Sequence, residues 1–269
     1  MLTAVLTVVV AAGQAASPAA PCRLAPAESS VAAGVHAPFD RLLRAFVRDG
    51  AVDYRCFGRH ATALDGYLAA LASTDAGALS DDAALALWIN AYNAFTIRLI
   101  LSRYPRIKSI KDIPRRWSRR DWVVGGRRYS LNDIEHAILR KEFVEPRIHF
   151  AIVCASASCP KLAPEAFVAE RLDDQLTRAA REFLSDPVRG FRVEVERRGA
   201  DGGRVRVYLS SIFQWFRKDF EGRAGSLIDF VAPYVSPQDR AVLQRHRADV
   251  SIRFLAYDWS LNDSGPGGP

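Results

Sequence analysis

The chain has 269 residues, 49% of them hydrophobic and 25% charged, with a formal net charge of +7. This is the composition of an ordinary globular protein with ample material for a core, which excludes a low-complexity chain. The charge is concentrated in residues 103–128, where ten basic residues stand against two acidic ones. The local charge of +8 leaves the rest of the chain at about −1.

The first 16 residues have the pattern of a cleavable secretory signal. An uncharged apolar run from Leu2 to Ala12 is followed by small residues that suit signal peptidase. The run is too short for a membrane span, which needs about 20 apolar residues. We therefore expect an exported protein, periplasmic or secreted, that begins between Ala16 and Ala20 when mature and has no transmembrane segment.

The rest of the chain predicts one globular domain between two irregular segments. Residues 17–33 are rich in Ala, Pro and Ser and indicate a linker, and residues 264–269 predict a disordered tail. Helices and strands intermix over residues 34–263 without a linker between them.

Apolar periodicity and end signals predict eight helices. In chain order they are 39–47, 61–72, 82–104, 130–142, 164–184, 211–220, 227–234 and 237–246. Ser130 and Asp133 form a capping box at the start of the fourth helix.

Strand signals are fewer. They predict a hairpin over 123–129 around a Gly-Gly turn, a buried strand over 147–154, a second hairpin of 191–195 and 205–209 around the polar turn 197–204, and a late strand over 252–257. Hairpins outnumber βαβ crossovers. We therefore expect the α+β class, with several helices packed on a small, mainly antiparallel sheet that contains two hairpins.

The basic segment 103–128 suits an anionic partner. Its centre carries Arg115, Arg116, Arg119 and Arg120. Such a cluster would attract an anionic envelope component such as phospholipid headgroups or acidic polysaccharide. Nucleic acid is not expected as a partner of an exported protein. The alternative is a solvated basic loop without a partner.

Two helices carry polar residues on or near apolar faces. Asn90 and Asn93 lie in an apolar helix, where each buried amide must find partners or cost roughly 1–3 kcal/mol. They are expected to brace the backbone of a neighbouring loop, either structural or part of an active site. Glu135 falls within or beside the core face of the helix from residue 130, so its carboxylate is paired with an Arg or has a raised pKa. His136 points to the flank of that helix.

The loop 154–159 joins small polar residues to two cysteines. Its amides and hydroxyls suit anion or oxyanion binding. His149 and Cys154 would lie roughly 16 Å apart in an extended strand, on opposite faces. A thiol would therefore use His136 as the base for Cys154, or His149 for Cys159 if that cysteine folds back over the sheet.

The four cysteines are an even number in an expected oxidising compartment, where disulfides persist. Cys154 and Cys159 could pair, which would leave Cys22 with Cys56, but three pairings are open. A disulfide in the loop would remove a resting nucleophile or make a redox-active pair outside the usual CxxC spacing. No HExxH or CxxC pattern is present, so no metal and no cofactor is expected.

Five blocks of the sequence resemble the signature blocks of the domain of unknown function 547 family. They are Trp88-x-Asn90-Ala91-Tyr92-Asn93-Ala94, Ser130-Leu131-x-Asp133-Ile134-Glu135-His136-x-x-Leu139-Arg140, Arg147-x-His149-Phe150-Ala151 through Ser158-Cys159-Pro160-x-Leu162, Leu209-Ser210-x-Ile212-Phe213-x-Trp215-Phe216-x-x-Asp219-Phe220, and Tyr257-Asp258-Trp259-Ser260-Leu261-Asn262. The resemblance covers about residues 81–263. It implies one compact domain that is common in exported bacterial proteins, and it implies no reaction. Cys22 and Cys56 lie outside the blocks, which fits an additional structural disulfide.

Because His, Glu, Cys and buried Asn all fall in these blocks, the preferred hypothesis is a thiol-dependent hydrolase or acyl-transfer enzyme acting on a small molecule or peptide. Cys154 or Cys159 would be the nucleophile, His149 or His136 the base, and Glu135 the residue that orients the base.

The remaining polar residues would complete that site. Ser156 and Ser158 would form the oxyanion site with loop amides, and Asn90 and Asn93 would hold the loop. The alternative hypothesis is a non-catalytic envelope module with paired cysteines that binds an anionic partner through segment 103–128.

Overall fold

The computed structural model describes residues 22–24, 32, 34–196, 204–247 and 249–265. The following predictions lie wholly or mostly outside these residues: the signal 1–16, the linker 17–33, the turn 197–204 and the end of the tail, 266–269.

The N-terminal half is helical. Helices α2 (Tyr54–Arg59) and α3 (Ala61–Ala72) pack on α4 (Asp81–Leu101), and α1 (Ala37–Phe46) packs on α2 and α3. Two short strands, β1 (Val47–Arg48) and β2 (Ala51–Val52), pair after α1. Helix α4 is buried on every side from Ala84 to Ile97, which matches its apolar composition all round. Ser80 caps α4 by accepting the amide of Ala83.

Helix α4 ends at Leu101, three residues before the end of the predicted helix 82–104. By length and composition it would suffice to cross a membrane. However, 89% of its most apolar window is buried inside the protein. This burial is typical of a central core helix.

The first predicted hairpin is confirmed. Strands β3 (Trp122–Val124) and β4 (Arg127–Tyr129) are antiparallel, and Gly125 and Gly126 between them have φ values of 55° and 74°. Both residues of this two-residue turn need positive φ, which glycine supplies without strain. The amide of Gly125 also donates to the carbonyl of Leu71 at the end of α3.

The predicted helix from Ser130 is present, but most of it is a π-helix. Ser130 and Asp133 form the expected capping box, with hydrogen bonds of 3.0 and 2.9 Å. The backbone then forms a π-helix over Asp133–Leu139 and the short α5 (Arg140–Glu142). A π-helical turn is wider than an α-helical one and is frequent at functional sites. Glu135 was placed within or beside the core face on the assumption of α-helical geometry, about 100° per residue, which does not hold in this π-helix.

The predicted buried strand over 147–154 is wrong. The segment forms a 3₁₀ helix, Pro146–Phe150, and then a turn. Proline at the first position and the side chain of Glu145, which accepts the amide of Arg147, start this helix. The separation of roughly 16 Å inferred for His149 and Cys154 from strand geometry therefore does not apply.

The predicted helix 164–184 begins later than expected. A 3₁₀ turn, Ala169–Arg171, precedes α6 (Leu172–Leu184). Residues 166–168 are held outside the helix because side-chain amides take their backbone groups. Asn90 exchanges two hydrogen bonds with Phe167, and Gln175 binds the backbone on both sides of it.

The C-terminal half contains a three-stranded sheet and four short helices. The strands are β5 (Phe191–Glu196), β6 (Arg204–Leu209) and β7 (Val250–Phe254), and the helices are α7 (Ser211–Trp215), α8 (Arg217–Ala224), α9 (Leu227–Val231) and α10 (Pro237–Arg245). Strands β5 and β6 are antiparallel, as predicted for the second hairpin, whereas β7 runs parallel to β6. The α+β class is confirmed.

The described residues form two hydrophobic clusters. The first surrounds α4, and the second joins α6, the sheet β5–β7 and α7 to α10. The 3₁₀ helix at residue 146 lies between them, with Ile148 in the first cluster and Phe150 in the second. The C-terminal segment crosses the same boundary, since Tyr257 packs on the second cluster and Trp259 on the first. The candidate site lies at this junction.

Candidate functional site

A pocket of about 190 Å³ opens between the two hydrophobic clusters. It brings together the five residues that the sequence offered as catalytic: Glu135, His136, His149, Cys154 and Cys159. They come from the π-helix, the 3₁₀ helix and the loop after it.

All four cysteines are paired in the described structure. Cys154 and Cys159 lie at disulfide distance from each other, and Cys22 lies at disulfide distance from Cys56. No free cysteine is present among the described residues. This is one of the three pairings that the sequence left open, and it leaves no resting thiol in the pocket.

The two sulfur atoms of the pocket differ in exposure and in hydrogen bonding. Cys159 is only 3% exposed, whereas Cys154 is half-buried. The backbone amide of Cys154 donates to Sγ of Cys159 at 2.9 Å, and the hydroxyl of Tyr257 donates to the same sulfur at 3.3 Å. The Tyr257 hydroxyl also lies 3.2 Å from Sγ of Cys154 and accepts a hydrogen bond from Ser156 at 3.1 Å.

The loop 154–159 is held against the C-terminal segment. Ala155 has a φ of 60°, a left-handed conformation that costs an alanine roughly 1–2 kcal/mol and persists only where the surroundings impose it. The amide of Ala157 donates to the carbonyl of Ser260 at 2.8 Å, and the Ser158 hydroxyl accepts the amide of Asp258 at 2.8 Å. These hydrogen bonds, to residues directly after Tyr257, position its hydroxyl beside the sulfur atoms.

The two buried asparagines brace backbone, but only one braces this site. The side chain of Asn93 donates to the carbonyl of Ala151 at 2.9 Å and accepts the amide of Val153 at 2.8 Å, directly before Cys154. Asn90 holds Phe167, away from the pocket, so the expectation that both hold the cysteine loop is wrong for Asn90.

His149 is oriented by an aspartate that the sequence analysis did not select. Its Nε2 lies 2.8 Å from Asp219, and its ring stacks on Phe216 at 4.1 Å between centroids. Asp219 also accepts two hydrogen bonds from Arg140. Burial lowers the pKa of His149 more than the hydrogen bond to Asp219 raises it. Burial raises the pKa of Asp219, but its hydrogen bonds with His149 and Arg140 outweigh burial and leave that pKa well below its usual value.

His136 is a second neutral histidine. Its Nδ1 accepts a hydrogen bond from Arg140 at 3.1 Å, which leaves Nε2 as the protonated nitrogen of the neutral ring. Burial, followed by the positive charge of Arg140, lowers the pKa of His136.

Glu135 has no cationic partner within ion-pair distance in the described part of the chain, and no hydrogen bond there joins it to a histidine. Instead its carboxylate accepts the hydroxyl of Tyr92 at 3.0 Å. Burial raises the pKa of Glu135 to about 7, against the opposing effects of Tyr92 and Arg140. Of the two alternatives for this carboxylate, an arginine partner or a raised pKa, the raised pKa agrees with the structure, and no hydrogen bond in the described part of the chain supports the predicted role of orienting a histidine.

Glu135 acts electrostatically on Tyr257, whose hydroxyl contacts both sulfur atoms. Burial raises the pKa of Tyr257 to about 12, the hydrogen bond from Ser156 opposes this, and the charge of Glu135 adds to it. A carboxyl group with a pKa near 7 thus lies in the same cluster as the hydroxyl that contacts both sulfurs.

Most of the donors predicted for an oxyanion site in this loop already make hydrogen bonds within the protein. The amides of Ala157, Ser158 and Cys159 already donate to backbone carbonyls at 2.8–3.1 Å. The Ser158 hydroxyl accepts the amide of Asp258, and the Ser156 hydroxyl donates to a tyrosine. A developing oxyanion needs free donors aimed at it, whereas these three amides and the Ser156 hydroxyl donate elsewhere.

The four central arginines of segment 103–128 lie outside the pocket. Arg119 pairs with Asp121 and Arg120 with Asp133, all at the surface, and Arg116 donates to backbone carbonyls. Arg115 is exposed.

The mouth of the pocket is aromatic, a feature that the sequence analysis missed. Trp117, Trp215 and Trp259 line it together with Tyr257. Tyr257 and the last two tryptophans stand in blocks of the family resemblance, which was the signal that could have found them. Among the described residues, no group of three or more His, Cys, Asp or Glu side chains is placed to hold a metal ion.

The comparison with known families identifies one match. Residues 77–184 match the family described as "Protein of unknown function, DUF547". The match contains both asparagines, Glu135, both histidines and Cys154 with Cys159, while the blocks around Trp215 and Tyr257 lie beyond it. No curated protein and no solved structure matches the chain. The match confirms the family resemblance over residues 77–184, and the description of the family states no activity.

Proposed function

We propose that the chain is an exported, periplasmic or secreted, protein that exchanges disulfides with cysteine thiols through Cys154 and Cys159. The observation that carries the proposal is the pair of sulfur atoms at disulfide distance inside a pocket, with the hydroxyl of Tyr257 beside both. An oxidising compartment is where such a pair persists in the disulfide form.

The different exposures of the two sulfurs assign their roles. A substrate thiolate attacks Sγ of the half-buried Cys154, the bond between Cys154 and Cys159 breaks, and Cys159 leaves as a thiolate. The amide of Cys154 and the hydroxyl of Tyr257 donate to this sulfur. Hydrogen bonds to an anionic acceptor are stronger than those to a neutral one, so both contacts favour the leaving thiolate.

A second thiolate of the same substrate completes the reaction. It attacks the substrate sulfur of the mixed disulfide and releases Cys154 as a thiolate, so that two electrons pass from the substrate dithiol to the protein. Glu135 can accept or supply a proton near neutral pH, because burial raises its pKa to about 7. The reverse reaction uses the same steps.

Thiol-dependent hydrolysis or acyl transfer is the second candidate, and it applies to the reduced protein. Glu135 and two neutral histidines in one pocket with Cys154 favour it. The engaged loop amides oppose it, because acyl transfer needs donors for an oxyanion and disulfide exchange does not. We therefore place disulfide exchange first.

Single-cysteine variants test the proposal. The variant Cys159→Ser, incubated with a disulfide of a cysteine peptide, should form a mixed disulfide at Cys154. The matched variant Cys154→Ser should react far more slowly, because Cys159 is 3% exposed. Mass spectrometry of the trapped products distinguishes the two. Equal trapping by both variants, or trapping by neither, would contradict the proposal.

A further inference from the structure

The mouth of the pocket presents an aromatic surface to solvent. Trp215 is 47% exposed, and its ring lies 4.8 Å from that of Tyr257 and 5.8 Å from that of Trp259, between centroids. Tyr257 and Trp259 are themselves 4.7 Å apart. Trp215, Tyr257 and Trp259 form what we call the aromatic mouth.

Among the large hydrophobic side chains that are exposed in the described part of the chain, Trp215 is the only aromatic one. A half-exposed tryptophan at the rim of a concave site is typical of a recognition surface, since tryptophan is enriched at the centres of interfaces and gains from burial against another apolar or aromatic group. Tyr257 joins this surface to the chemistry, because the same residue contacts both sulfur atoms.

A cation borders the aromatic mouth. The ammonium group of Lys111 lies 3.9 Å from the ring centre of Trp259. Lys111 is exposed, and in the described part of the chain no carboxylate is within ion-pair distance of it. It belongs to segment 103–128, whose local charge is +8. The rim therefore combines an apolar contact with an unpaired positive charge.

We infer that the substrate is a polypeptide segment in which an aromatic and an acidic residue flank the reacting cysteine. The aromatic side chain packs on Trp215, and the carboxylate pairs with Lys111. This inference rests on the proposed disulfide exchange for the reaction, but the recognition itself involves no sulfur chemistry.

Three blocked tripeptides, each with a single thiol, measure the recognition as the rate at which they open the Cys154–Cys159 pair, forming a mixed disulfide at Cys154 and releasing Cys159 as a thiolate that is trapped by alkylation. They are glutamyl-cysteinyl-phenylalanine, glutamyl-cysteinyl-serine and glutaminyl-cysteinyl-phenylalanine, each acetylated and amidated. The first should react about tenfold faster than the second, which corresponds to one aromatic contact of about 1.4 kcal/mol. It should react about threefold faster than the third at low salt, as for one exposed ion pair.

Two variants assign the preferences to residues. Trp215→Ala should abolish the preference for phenylalanine, and Lys111→Gln should abolish the preference for glutamate. The peptide rates of each variant are divided by its own rate with dithiothreitol, which makes neither contact, so that a general change in the reactivity of the pair cancels. The controls Val188→Ala, a valine that is 73% exposed, and Lys108→Gln, in the same basic segment, should change neither preference.

The possible results distinguish failure of the proposed peptide recognition from failure of the proposed disulfide exchange. Equal rates for the three peptides in the native protein, or a phenylalanine preference that survives Trp215→Ala, would overturn the inference. If dithiothreitol also fails to reduce the pair, the proposed function fails. In that case recognition is decided by titrating the native protein and Trp215→Ala with the first peptide carrying serine for cysteine. Binding that depends on Trp215 upholds the recognition, and its absence overturns it.

Discussion

At the scale of single residues, Tyr257 joins the parts of the site. Its hydroxyl lies within hydrogen-bonding distance of both sulfur atoms and of Ser156, and its ring packs against Trp215 in the aromatic mouth. The sequence analysis selected the cysteines because their chemistry is visible in their identity. Tyr257 was not selected, because it lies 103 residues from Cys154 and reaches the loop only through tertiary contacts; its place in a block of the family resemblance was the one signal that marked it.

Removing the hydroxyl of Tyr257 tests its effect on the sulfur atoms. In Tyr257→Phe the Cys159 thiolate loses one donor, worth about 1.5–3 kcal/mol for an anionic acceptor. Because about 1.4 kcal/mol corresponds to 30 mV for this couple, the reduction potential should become more negative by about 30–65 mV. Equilibration in glutathione buffers measures it. An unchanged or less negative potential would show that Tyr257 does not stabilise the thiolate.

Glu135 makes a prediction about stability and pH. Burial raises its pKa in the native protein from 4.5 to about 7, so the native state binds more protons than the unfolded state between these values. Stability therefore falls as pH rises from about 4.5 to 7 and is unaffected by this group above that range. Glu135→Gln should remove the dependence, roughly 2–3 kcal/mol between pH 4.5 and 8 relative to the native protein.

The control for this experiment is Glu142→Gln, because Glu142 is an exposed carboxyl group on the following turn. Urea unfolding of the three proteins at pH 4.5 and pH 8 gives the comparison. The pKa of Glu135 is not raised if the native protein and Glu135→Gln show the same change in stability with pH.

At the scale of elements, local signals predicted more than long-range ones. The capping box at Ser130, the Gly-Gly hairpin and α3 follow from neighbouring residues, and all three are present. The strand predicted over 147–154 and the early start of α6 were wrong, because Asn90 and Asn93 hold the backbone of these segments from another helix. A bond between α4 and a segment some 60–80 residues away leaves no mark in a periodicity pattern.

Asn90 and Asn93 can be compared directly, because each makes two hydrogen bonds to buried backbone but only Asn93 lies next to the cysteine loop. Asn93→Ala and Asn90→Ala each leave two buried backbone groups without a partner, so each should lower the free energy of unfolding by roughly 2–4 kcal/mol. Only Asn93→Ala should also slow reduction of the Cys154–Cys159 pair by dithiothreitol, because Asn93 fixes the turn that aims the amide of Cys154 at Cys159.

Thermal unfolding and quenched alkylation, both well below the melting temperature of the weaker variant, provide the two measurements. Equal slowing by both variants would mean that general destabilisation, rather than the position of Asn93, controls the loop.

At the scale of the whole molecule, the site lies where two hydrophobic clusters meet, with residues from both halves of the chain around one pocket. The sequence indicated the α+β class and the catalytic candidates, because each of these depends on composition or local pattern. The joining of Asp219, Trp215 and Tyr257 to the cysteine loop depends on how the clusters pack, which no local pattern specifies.

The basic segment 103–128 remains a predicted binding surface for an anionic envelope component. Changing Arg115, Arg116, Arg119 and Arg120 to Ser should leave folding intact, because the ion pairs there are exposed and contribute little. It should weaken adsorption to vesicles containing phosphatidylglycerol by at least about tenfold at low salt. Four exposed basic residues elsewhere serve as the control when changed to Ser: Lys141, Lys218, Arg245 and Arg253. Equal adsorption of both variants would show that the segment is a solvated basic loop without an anionic partner.

The reduction potentials of the two cysteine pairs test directly whether Cys154 and Cys159 exchange disulfides or form a structural disulfide. The native protein is equilibrated in graded dithiol buffers, quenched with acid, alkylated and digested, and the oxidised fraction of each pair is read by mass spectrometry. The Cys154–Cys159 pair, with two donors on the leaving sulfur, should be reduced at a potential less negative than about −250 mV, while Cys22–Cys56 should stay oxidised to below about −300 mV, as structural disulfides do. If both pairs are reduced together below about −300 mV, Cys154–Cys159 is a structural disulfide and the proposed exchange activity is contradicted.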